Sequence, residues 1–271
     1  MSFNPKKQLS QFLAEDIGKG DITSQLLSKK KITVKIISRE NAVVAGTKYA
    51  KEIFAIKGCK TKIISKDGTK IKPNQKIIEI TGNADKILAC ERTALNILTR
   101  MSGIATQTNE LVKKIPKKTK LYATRKTAPG LRYFDKEAVK IGGGEKHRLR
   151  LDEMVMIKDN HIAAEQSLLS LIDKTKKKYR KFEVEVENIE DAVLAAEKGA
   201  TIIMLDNFSP TQIIKTIKVL KNKKLRNKVL LEASGGINSK NISKYGKTGV
   251  DIISIGSITN SVKGIDFSLE V

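Results

Sequence analysis

The sequence has few cysteines and no long apolar run. Its two cysteines, Cys59 and Cys90, lie far from any other metal-ligand pattern, so we expect buried thiols and neither a disulfide framework nor a zinc site. No stretch approaches the roughly 20 apolar residues of a membrane span, and the amino end lacks the apolar core of a secretory signal. These absences predict a cytoplasmic protein without a membrane partner.

Aromatic residues make up only 4% of the chain and tryptophan is absent, while the net charge is +23. That charge raises the hypothesis of a nucleic-acid-binding protein, because phosphate neutralisation by Lys and Arg dominates such binding. However, lysine is scattered along the whole chain, few rings are available to stack on bases, and no nucleic-acid motif occurs. We favour a lysine-rich solvated surface that also steers anionic substrates.

Arginine is scarce among the 52 cationic residues, with nine copies, and histidine occurs twice. Six of the nine arginines nevertheless fall between Arg92 and Arg150, and both histidines, His147 and His161, lie in this segment or just beyond it. The rigid guanidinium fork matches the two oxygens of a carboxylate or phosphate, whereas lysine offers a flexible point charge. The clustering predicts a pocket for a multiply anionic small molecule.

The periodicity of apolar residues changes near residue 120. Before it, helices are predicted over 6–15, 47–56 and from 84 onward, with strands over 32–37, 61–64 and 76–80, so this part is an α+β module. After it, short apolar strands alternate with amphipathic helices, the strands being predicted over 121–124, 154–157, 182–186, 201–205, 229–232 and 251–255. Six βα units in series with short connections predict a parallel sheet that closes into an α/β barrel.

The residues that can carry chemistry follow the predicted strands. In α/β barrels the carboxyl ends of the strands form the rim on which the active site is built, and the last loops commonly bind phosphate. The candidates at these ends are Arg125, Lys126, Lys158, Glu185, Glu187, Asp206, Ser234, Gly235, Gly236, Gly256 and Ser257. The sequence therefore predicts one site assembled from several strands.

Two of these features have alternative interpretations. Glu185 and Asp206 could form structural salt bridges with lysines, or could be oxygen ligands to a Mg²⁺ ion that carries a pyrophosphate. Glu187 could substitute for Glu185, because strand alternation puts both on one face. The run from Ser234 to Gly236 is an ordinary turn signal, which after a strand and near cations becomes a candidate phosphate cradle.

A run of three glycines, Gly142 to Gly144, precedes His147 and Arg148. Such runs are often flexible linkers. At this position the run could also let His147 and Arg148 close over a ligand.

Taken in order, the motifs resemble the quinolinate phosphoribosyltransferase family. The similarity covers nearly the whole chain and rests on Glu15 to Thr23, Arg92-Thr-Ala-Leu-Asn96, Ser102-Gly-Ile-Ala-Thr106, Thr124-Arg-Lys-Thr, Gly142-Gly-Gly, His147-Arg148, Ile157-Lys-Asp-Asn-His161, Glu183-Val-Glu-Val, Leu205-Asp-Asn-Phe208 and Glu232-Ala-Ser-Gly-Gly236. It implies an α/β chain of the type II phosphoribosyltransferase kind. An amino-terminal α/β sandwich would span residues 1–103, an incomplete parallel α/β barrel residues 104–258, and a segment over 259–271 would pack back on the first domain.

The resemblance also implies an activity and a partner. The activity would be phosphoribosyl transfer from 5-phosphoribosyl-1-pyrophosphate to quinolinate with decarboxylation, in NAD biosynthesis, with Mg²⁺ as cofactor. The partner would be a second copy of the chain, in a dimer whose active sites borrow residues across the interface. A paralogous phosphoribosyltransferase-like protein associated with molybdenum transport is the alternative. The stretch from Ile157 to His161 and the separate Glu185 and Asp206 favour the quinolinate enzyme.

Residue roles follow from the same resemblance. It assigns Arg92 to the partner's pocket, and the dicarboxylate of quinolinate to Arg125, Lys126, His147, Arg148 and Lys158, with Thr124 as a further substrate-binding residue. The ribose and Mg²⁺-pyrophosphate region falls to Glu185 and Asp206, and the 5-phosphate to Ser234, Gly235, Gly236, Gly256 and Ser257. Lys126, Lys158, Glu185 and Asp206 would be catalytic. Three positions depart from the family pattern and affect loop closure and phosphate contact: Lys146, Arg150 and Asn260.

Overall fold

The structure of the chain, a computed structural model, describes residues 3–28 and 30–271. Met1 and Ser2, which belong to the amino end used above to argue against a secretory signal, lie outside the described residues, as does Lys29. The chain forms two compact units. The first comprises Met1–Asn109, Thr127–Gly143 and Ile258–Val271, and the second comprises Glu110–Lys126 and Gly144–Ser257.

Helices and strands occur close to where the apolar periodicity predicts them. The helices are α1 (Pro5–Ile17), α2 (Thr47–Ile56), α3 (Ala84–Val112), α4 (Arg132–Ile141), α5 (Asp159–Glu165), α6 (Leu168–Lys176), α7 (Ile189–Glu197), α8 (Pro210–Asn222), α9 (Ile242–Gly246) and α10 (Ser257–Asn260). The strands are β1 (Lys31–Ser38), β2 (Ala42–Val43), β3 (Lys60–Ile63), β4 (Lys70–Ile71), β5 (Lys76–Asn83), β6 (Lys120–Ala123), β7 (Val155–Ile157), β8 (Phe182–Val186), β9 (Ile202–Asp206), β10 (Leu230–Ser234), β11 (Ile252–Ile255) and β12 (Phe267–Glu270).

The first unit is built on a four-stranded antiparallel sheet in the order β12-β1-β5-β3. Its outer strand, β12, comes from the last residues of the chain and pairs Lys35 with Glu270. The helix α1 begins where Asn4 caps it by accepting a hydrogen bond from the Lys7 N–H at 3.2 Å, and Leu9 and Leu13 form its buried face. The carboxy-terminal strand is therefore part of the amino-terminal sheet.

A buried ion pair joins two helices of the first unit. Arg100 on α3 donates to both carboxylate oxygens of Asp135 on α4, at 2.7 and 2.9 Å, and also to the Thr259 carbonyl at 3.0 Å. The Asp135 side chain is completely buried, and this burial raises its pKa although the Arg100 hydrogen bond and charge act in the opposite direction. Beside it, Phe134 packs edge-on against Tyr49 with ring centroids 4.9 Å apart. These contacts explain why α4, which follows the first barrel strand in sequence, belongs to the first unit.

The second unit is the predicted incomplete barrel. Its six strands are parallel and lie in the order β6-β11-β10-β9-β8-β7, so that β6 and β7 form the two edges of an open sheet. Helix starts follow the sequence signals: Asn188 caps α7, while Ser209 and Gln212 form a capping box at α8 with Pro210 in its first turn. The predicted fold class is confirmed.

The structure contains no candidate for a membrane span. Every helix within residues 3–28 and 30–271 is either too short or too polar to cross a bilayer.

Replacing Arg100 tests the ion pair of the first unit. Arg100→Ala would leave the buried Asp135 carboxylate without its cation, and we expect the free energy of unfolding in urea to fall by about 3 to 5 kcal/mol. The control is Arg39→Ala, which breaks the partly exposed pair with Glu270 at 2.9 Å and should cost about 0 to 1 kcal/mol. Equal losses in the two variants would contradict the role given to burial.

Candidate active site

A cavity of about 360 Å³ lies at the carboxyl ends of the strands of the second unit. Nine of the predicted site residues line it: Thr124, Arg125, Lys126, His147, Arg148, Lys158, Glu185, Asp206 and Ser234. The remaining wall residues are Ala123, Met156, Met204, Glu232 and Ser254. Among the predicted residues, Gly235, Gly236, Gly256 and Ser257 follow strand ends without lining the cavity, and Arg92 is exposed on α3 of the first unit.

The cationic part of the cavity is held by local hydrogen bonds. After β6 the chain turns, and the Lys126 N–H donates to the Thr124 hydroxyl at 3.1 Å. The Arg148 guanidinium donates from Nη1 to the Met154 carbonyl at 2.8 Å, which orients the fork. Burial lowers the pKa of Arg148, and the charge of Arg125 lowers it further. Two guanidinium groups held this close repel each other, so an anion bound between them would be stabilised.

Lys158 is positioned through both its backbone and its side chain. Its N–H donates to Nδ1 of His161 at 3.0 Å, at the start of α5. Its ammonium group forms an ion pair and hydrogen bond with Glu185. The salt bridge considered for Glu185 from the sequence is therefore present, and its partner is itself a predicted site residue.

The acidic part of the cavity comes from the ends of β8 and β9. Glu185 lines the cavity, whereas Glu187 lies past the end of β8, is exposed and is not part of the wall. Asp206 ends β9 and accepts a hydrogen bond from the Asn207 side-chain amide at 2.7 Å. The geometry thus selects Glu185 over Glu187 as the cavity carboxylate.

The turn after β10 needs its glycines. Gly235 and Gly236 have φ of +86° and +61°, in the left-handed region that side chains disfavour. A Cβ on Gly235 would also collide with the Asn207 side chain. The backbone N–H of Asn207 donates a hydrogen bond to the Ser234 carbonyl at 2.9 Å. Since Ser234 and Asp206 are register partners, this contact fixes the ends of β9 and β10 against each other.

Comparison with known proteins identifies the family. Residues 104–270 match the model of the quinolinate phosphoribosyl transferase C-terminal domain, and residues 21–102 match that of the N-terminal domain. The chain belongs to the quinolinate phosphoribosyltransferase family. This confirms the family predicted from the motifs.

Individual relatives agree over nearly the full length. The probable nicotinate-nucleotide pyrophosphorylase [carboxylating] of Archaeoglobus fulgidus is 42% identical over 255 residues, which cover 93% of this chain and 98% of that protein. The nicotinate-nucleotide pyrophosphorylase [carboxylating] of Dictyostelium discoideum is 35% identical, and the match covers 99% of this chain and 96% of that protein. The solved structure of the nicotinate-nucleotide pyrophosphorylase from Francisella tularensis superposes with a TM-score of 0.91 at 40% identity. The superposition covers 98% of this chain and 95% of that one.

Within this phosphoribosyltransferase barrel, a set of buried residues lies outside the roles inferred from the sequence. Glu183 precedes Glu185 by two residues on β8, and Glu232 precedes Ser234 by two on β10, so each faces the barrel interior one layer deeper. His147 Nε2 lies 3.1 Å from Oε2 of Glu183 and 3.8 Å from Oε2 of Glu232. The alternation of acidic and apolar residues along β8 was the available signal, but it did not reveal that both acids are buried.

Burial dominates the electrostatics of the two deeper acids. Desolvation raises the pKa of Glu183, against the charges of Arg148 and Lys158. Desolvation also raises the pKa of Glu232, with the charge of Glu183 acting in the same direction. The Ser254 hydroxyl donates to Oε1 of Glu232. An acidic pair therefore faces one imidazole, and of the two acids Glu232 lines the cavity.

The three positions that depart from the family pattern have ordinary surroundings. Arg150 is about half exposed and pairs with Asp152 at 2.9 Å. Asn260 is exposed and accepts a hydrogen bond from the Ser261 hydroxyl at 2.8 Å. Lys146 is half-buried. None of the three lines the cavity.

The triple-glycine run is structured in part. Gly142 is the C-cap of α4, and a Cβ there would collide with the Ala105 carbonyl and the Thr108 side chain. Gly143 follows with φ of +99°. The first two glycines therefore serve packing and helix termination, whereas closure over a ligand stays a prediction.

A second cavity, of about 530 Å³, lies within the first unit. Its wall is formed by Phe12, Glu15, Asp16, Thr93, Asn96, Ile97, Arg100, Pro129 and Leu131. This cavity is larger, but two of its charged groups already have partners. Asp16, one of its two acids, accepts a hydrogen bond from the Thr93 hydroxyl at 3.1 Å, and Arg100 forms its ion pair with Asp135. The smaller cavity combines cations, carboxylates and strand ends, and for that reason it is the candidate active site.

Proposed function

We propose that the chain transfers the phosphoribosyl group of 5-phosphoribosyl-1-pyrophosphate to quinolinate and releases CO₂ and pyrophosphate, forming nicotinate mononucleotide for NAD biosynthesis. The observation that carries the proposal is the composition of the 360 Å³ cavity, which is lined both by a cluster of cations and by the carboxylates at the strand ends, Glu185 and Asp206. A pyridine with two negative charges needs the cations, and a reacting ribose needs the carboxylates. Membership of the quinolinate phosphoribosyltransferase family supports the same reaction.

The cations form the dicarboxylate half of the site. Arg125 and Arg148 each offer a planar fork that matches a carboxylate, and Lys126 adds a point charge. Burial lowers the pKa of Arg148, and the charge of Arg125 lowers it further, so these two cations repel each other. Binding of quinolinate relieves that repulsion, which favours a substrate carrying two negative charges over one carrying a single charge.

The carboxylates form the ribose half. As pyrophosphate departs from the anomeric carbon with the bonding electron pair, positive charge develops on the ribose ring. Glu185 or Asp206 stabilises that charge, because a fixed carboxylate in a cavity interacts more strongly with it than water does. The pyridine nitrogen of quinolinate then forms the new bond to the same carbon.

Decarboxylation follows from the quaternised nitrogen. The cationic ring accepts the electron pair left when the bond between C2 and its carboxylate breaks, and CO₂ leaves. Arg125 and Arg148 hold the ring by the carboxylate that remains. The carbanion at C2 takes up one proton, and the ammonium groups of Lys126 and Lys158 are the cavity donors for it.

Mg²⁺ is proposed as the cofactor. Glu185 and Asp206 supply the hard oxygen ligands that this ion prefers, and neither belongs to a cluster of three or more potential ligands among the described residues. One or two protein carboxylates suit an ion that arrives with its pyrophosphate. Bound there, Mg²⁺ would neutralise the leaving group, and Glu185 would have to exchange its contact with Lys158.

We further propose a homodimer or larger homo-oligomer in which Arg92 enters the site of a neighbouring chain. Arg92 is exposed on α3, so it is available to another molecule. In the same unit, Ile22 and Leu26 are 79% and 85% exposed, and a covering partner would bury them. A cytoplasmic location stays a prediction from the sequence.

The reaction is tested by mixing the protein with Mg²⁺, quinolinate and 5-phosphoribosyl-1-pyrophosphate. We expect nicotinate mononucleotide and CO₂ in equal amounts, measured by chromatography and by release of label from the C2 carboxyl. Lys126→Ala serves as the negative control. No product, together with tight and salt-sensitive RNA binding, would favour the nucleic-acid hypothesis.

Replacing Arg148 tests the guanidinium fork. Arg148→Lys keeps the charge but loses the two-pronged geometry, so kcat/KM for quinolinate should fall by a factor corresponding to about 1.5 to 3 kcal/mol. The matched control is Arg180→Lys, at an exposed position before β8. Unchanged steady-state kinetics in Arg148→Lys would remove this residue from the pocket.

Shared sites are tested by complementation. Arg92→Ala and Lys126→Ala should each be inactive alone, yet after subunit exchange about a quarter of wild-type activity should return, because half of the dimers then contain one intact site. Mixing Lys126→Ala with Lys158→Ala, both from the same half of the site, should restore nothing. If hetero-oligomers form without recovered activity, Arg92 does not act in the neighbouring site.

A further inference from the structure

The residue that follows Asp206 has a rare backbone conformation. Asn207 comes directly after β9, and its φ of +58° lies in the left-handed region. Residues with a side chain seldom occupy this region, although asparagine tolerates it better than most. The backbone N–H of Asn207 donates to the Ser234 carbonyl at 2.9 Å, which holds the residue against the end of β10. The main chain thus fixes the point from which the Asn207 side chain extends.

The Asn207 side chain contacts a cavity carboxylate and a glycine. Its Nδ2 donates to Oδ2 of Asp206 at 2.7 Å. Only the nitrogen of the amide can face the carboxylate, because the amide oxygen and the carboxylate oxygens are all acceptors. The rest of the amide is close to Gly235, where a Cβ would collide with Oδ1 and Cγ of Asn207. The missing side chain of Gly235 therefore leaves the space that this orientation of the amide needs.

The two strand-end acids of the cavity have different kinds of partner. Glu185 pairs with the ammonium group of Lys158, a cation that compensates its charge. Asp206 instead accepts a hydrogen bond from an amide, which restricts the orientation of the carboxylate but carries no net charge. A positive charge that develops in the cavity would compete with Lys158 for Glu185, whereas an amide does not compete with it for Asp206. Stabilising a transition state needs a charged group that is oriented in advance, and Asp206 meets this requirement.

We propose that Asn207 is a positioning residue that fixes the Asp206 carboxylate through a neutral donor and thereby makes Asp206, rather than Glu185, the acid that stabilises the positive charge developing on the ribose. Asn207 acts through Asp206 alone and touches no substrate. Glu185, by contrast, is engaged in orienting Lys158. The inference rests on the proposed phosphoribosyl transfer, and within that reaction it gives the two carboxylates separate tasks.

Glycine at position 207 separates a turn residue from a positioning residue. Asn207→Gly keeps the left-handed backbone without steric cost but removes the amide donor. We expect kcat to fall about tenfold or more, while the KM for quinolinate changes by less than about twofold, because the amide is bonded to the ribose half of the site. Asn207→Asp keeps the size of the side chain but presents an acceptor to Asp206, and it should lower kcat at least as far. A wild-type kcat in Asn207→Gly, or in Asn207→Asp if the glycine variant does not fold, would overturn the proposal.

Asn74→Gly is the matched control. Asn74 is exposed, has φ of +64° and donates its N–H to the Ser38 carbonyl at 2.7 Å, but it lies in a turn of the first unit and is not part of the cavity wall. We expect wild-type kinetics in this variant, and urea unfolding of both glycine variants measures any loss of stability. Equal losses of kcat in Asn74→Gly and Asn207→Gly would assign the effect to the backbone and refute the positioning role.

A double-mutant cycle tests whether Asn207 acts through Asp206. In the Asp206→Asn background no carboxylate is left to position, so adding Asn207→Gly should lower the single-turnover rate by less than about twofold. In the Glu185→Gln background the same addition should lower the rate by the full factor seen in the otherwise unchanged chain. Equal factors in the two backgrounds would contradict an action through Asp206. A larger loss in Glu185→Gln alone than in Asp206→Asn alone would give the charge-stabilising task to Glu185 and overturn the assignment.

The unaltered protein decides the proposed function separately. If it forms no nicotinate mononucleotide from quinolinate and 5-phosphoribosyl-1-pyrophosphate, the reaction is refuted and this inference fails with it. If the unaltered protein is active and Asn207→Gly is equally active, the reaction stands and only the role of Asn207 is refuted.

Discussion

The alternation of side chains along β8 is the constraint on which the site depends. Phe182, Val184 and Val186 are buried on one face, and Glu183 and Glu185 are buried on the other. The apolar face supplies the burial that stabilises the strand, so the inner face is free to carry charges. Because β8 and β9 are parallel neighbours, the same arrangement brings Glu185 level with Met204 and leaves Asp206 at the rim. One pattern of period two thus sets both the depth and the direction of the acids.

The charges of the cavity form an interdependent system. Lys158 pairs with Glu185 and His147 with Glu183, while partial burial lowers the pKa of Arg148 and the charge of Arg125 lowers it further. His147 and Lys158 are thus held by acids, whereas Arg125 and Arg148 repel each other. A ligand with negative groups at the right spacing replaces repulsion by attraction, whereas a ligand lacking one group leaves a partly buried cation unpaired. Selectivity for a dianion follows from this arrangement without any additional contact.

Much of this could be predicted from the sequence, because strand ends and helix caps are local signals. Asp206 and Ser234 follow apolar strands, and Ser209 with Pro210 marks a helix start, so their placement needed no long-range information. The choice between Glu185 and Glu187 depended on where β8 ends, and strand boundaries are the least reliable local feature. The sequence does not predict the contacts of Glu183 and Glu232, because His147 and Ser254 approach these acids from other parts of the chain. The pairing of β12 with β1 is likewise a long-range contact.

The contrast between surface and site lysines explains how a chain of net charge +23 can be selective. Scattered lysines create a diffuse positive field that raises the local concentration of anions. Such a field does not distinguish one polyanion from another. Discrimination needs groups whose geometry is fixed before the ligand arrives. Arg148 is oriented by the Met154 carbonyl, and Lys158 by His161 and Glu185. Scattered surface lysines and the fixed cations of the cavity are therefore suited to different stages, the former to attracting anions and the latter to distinguishing among them.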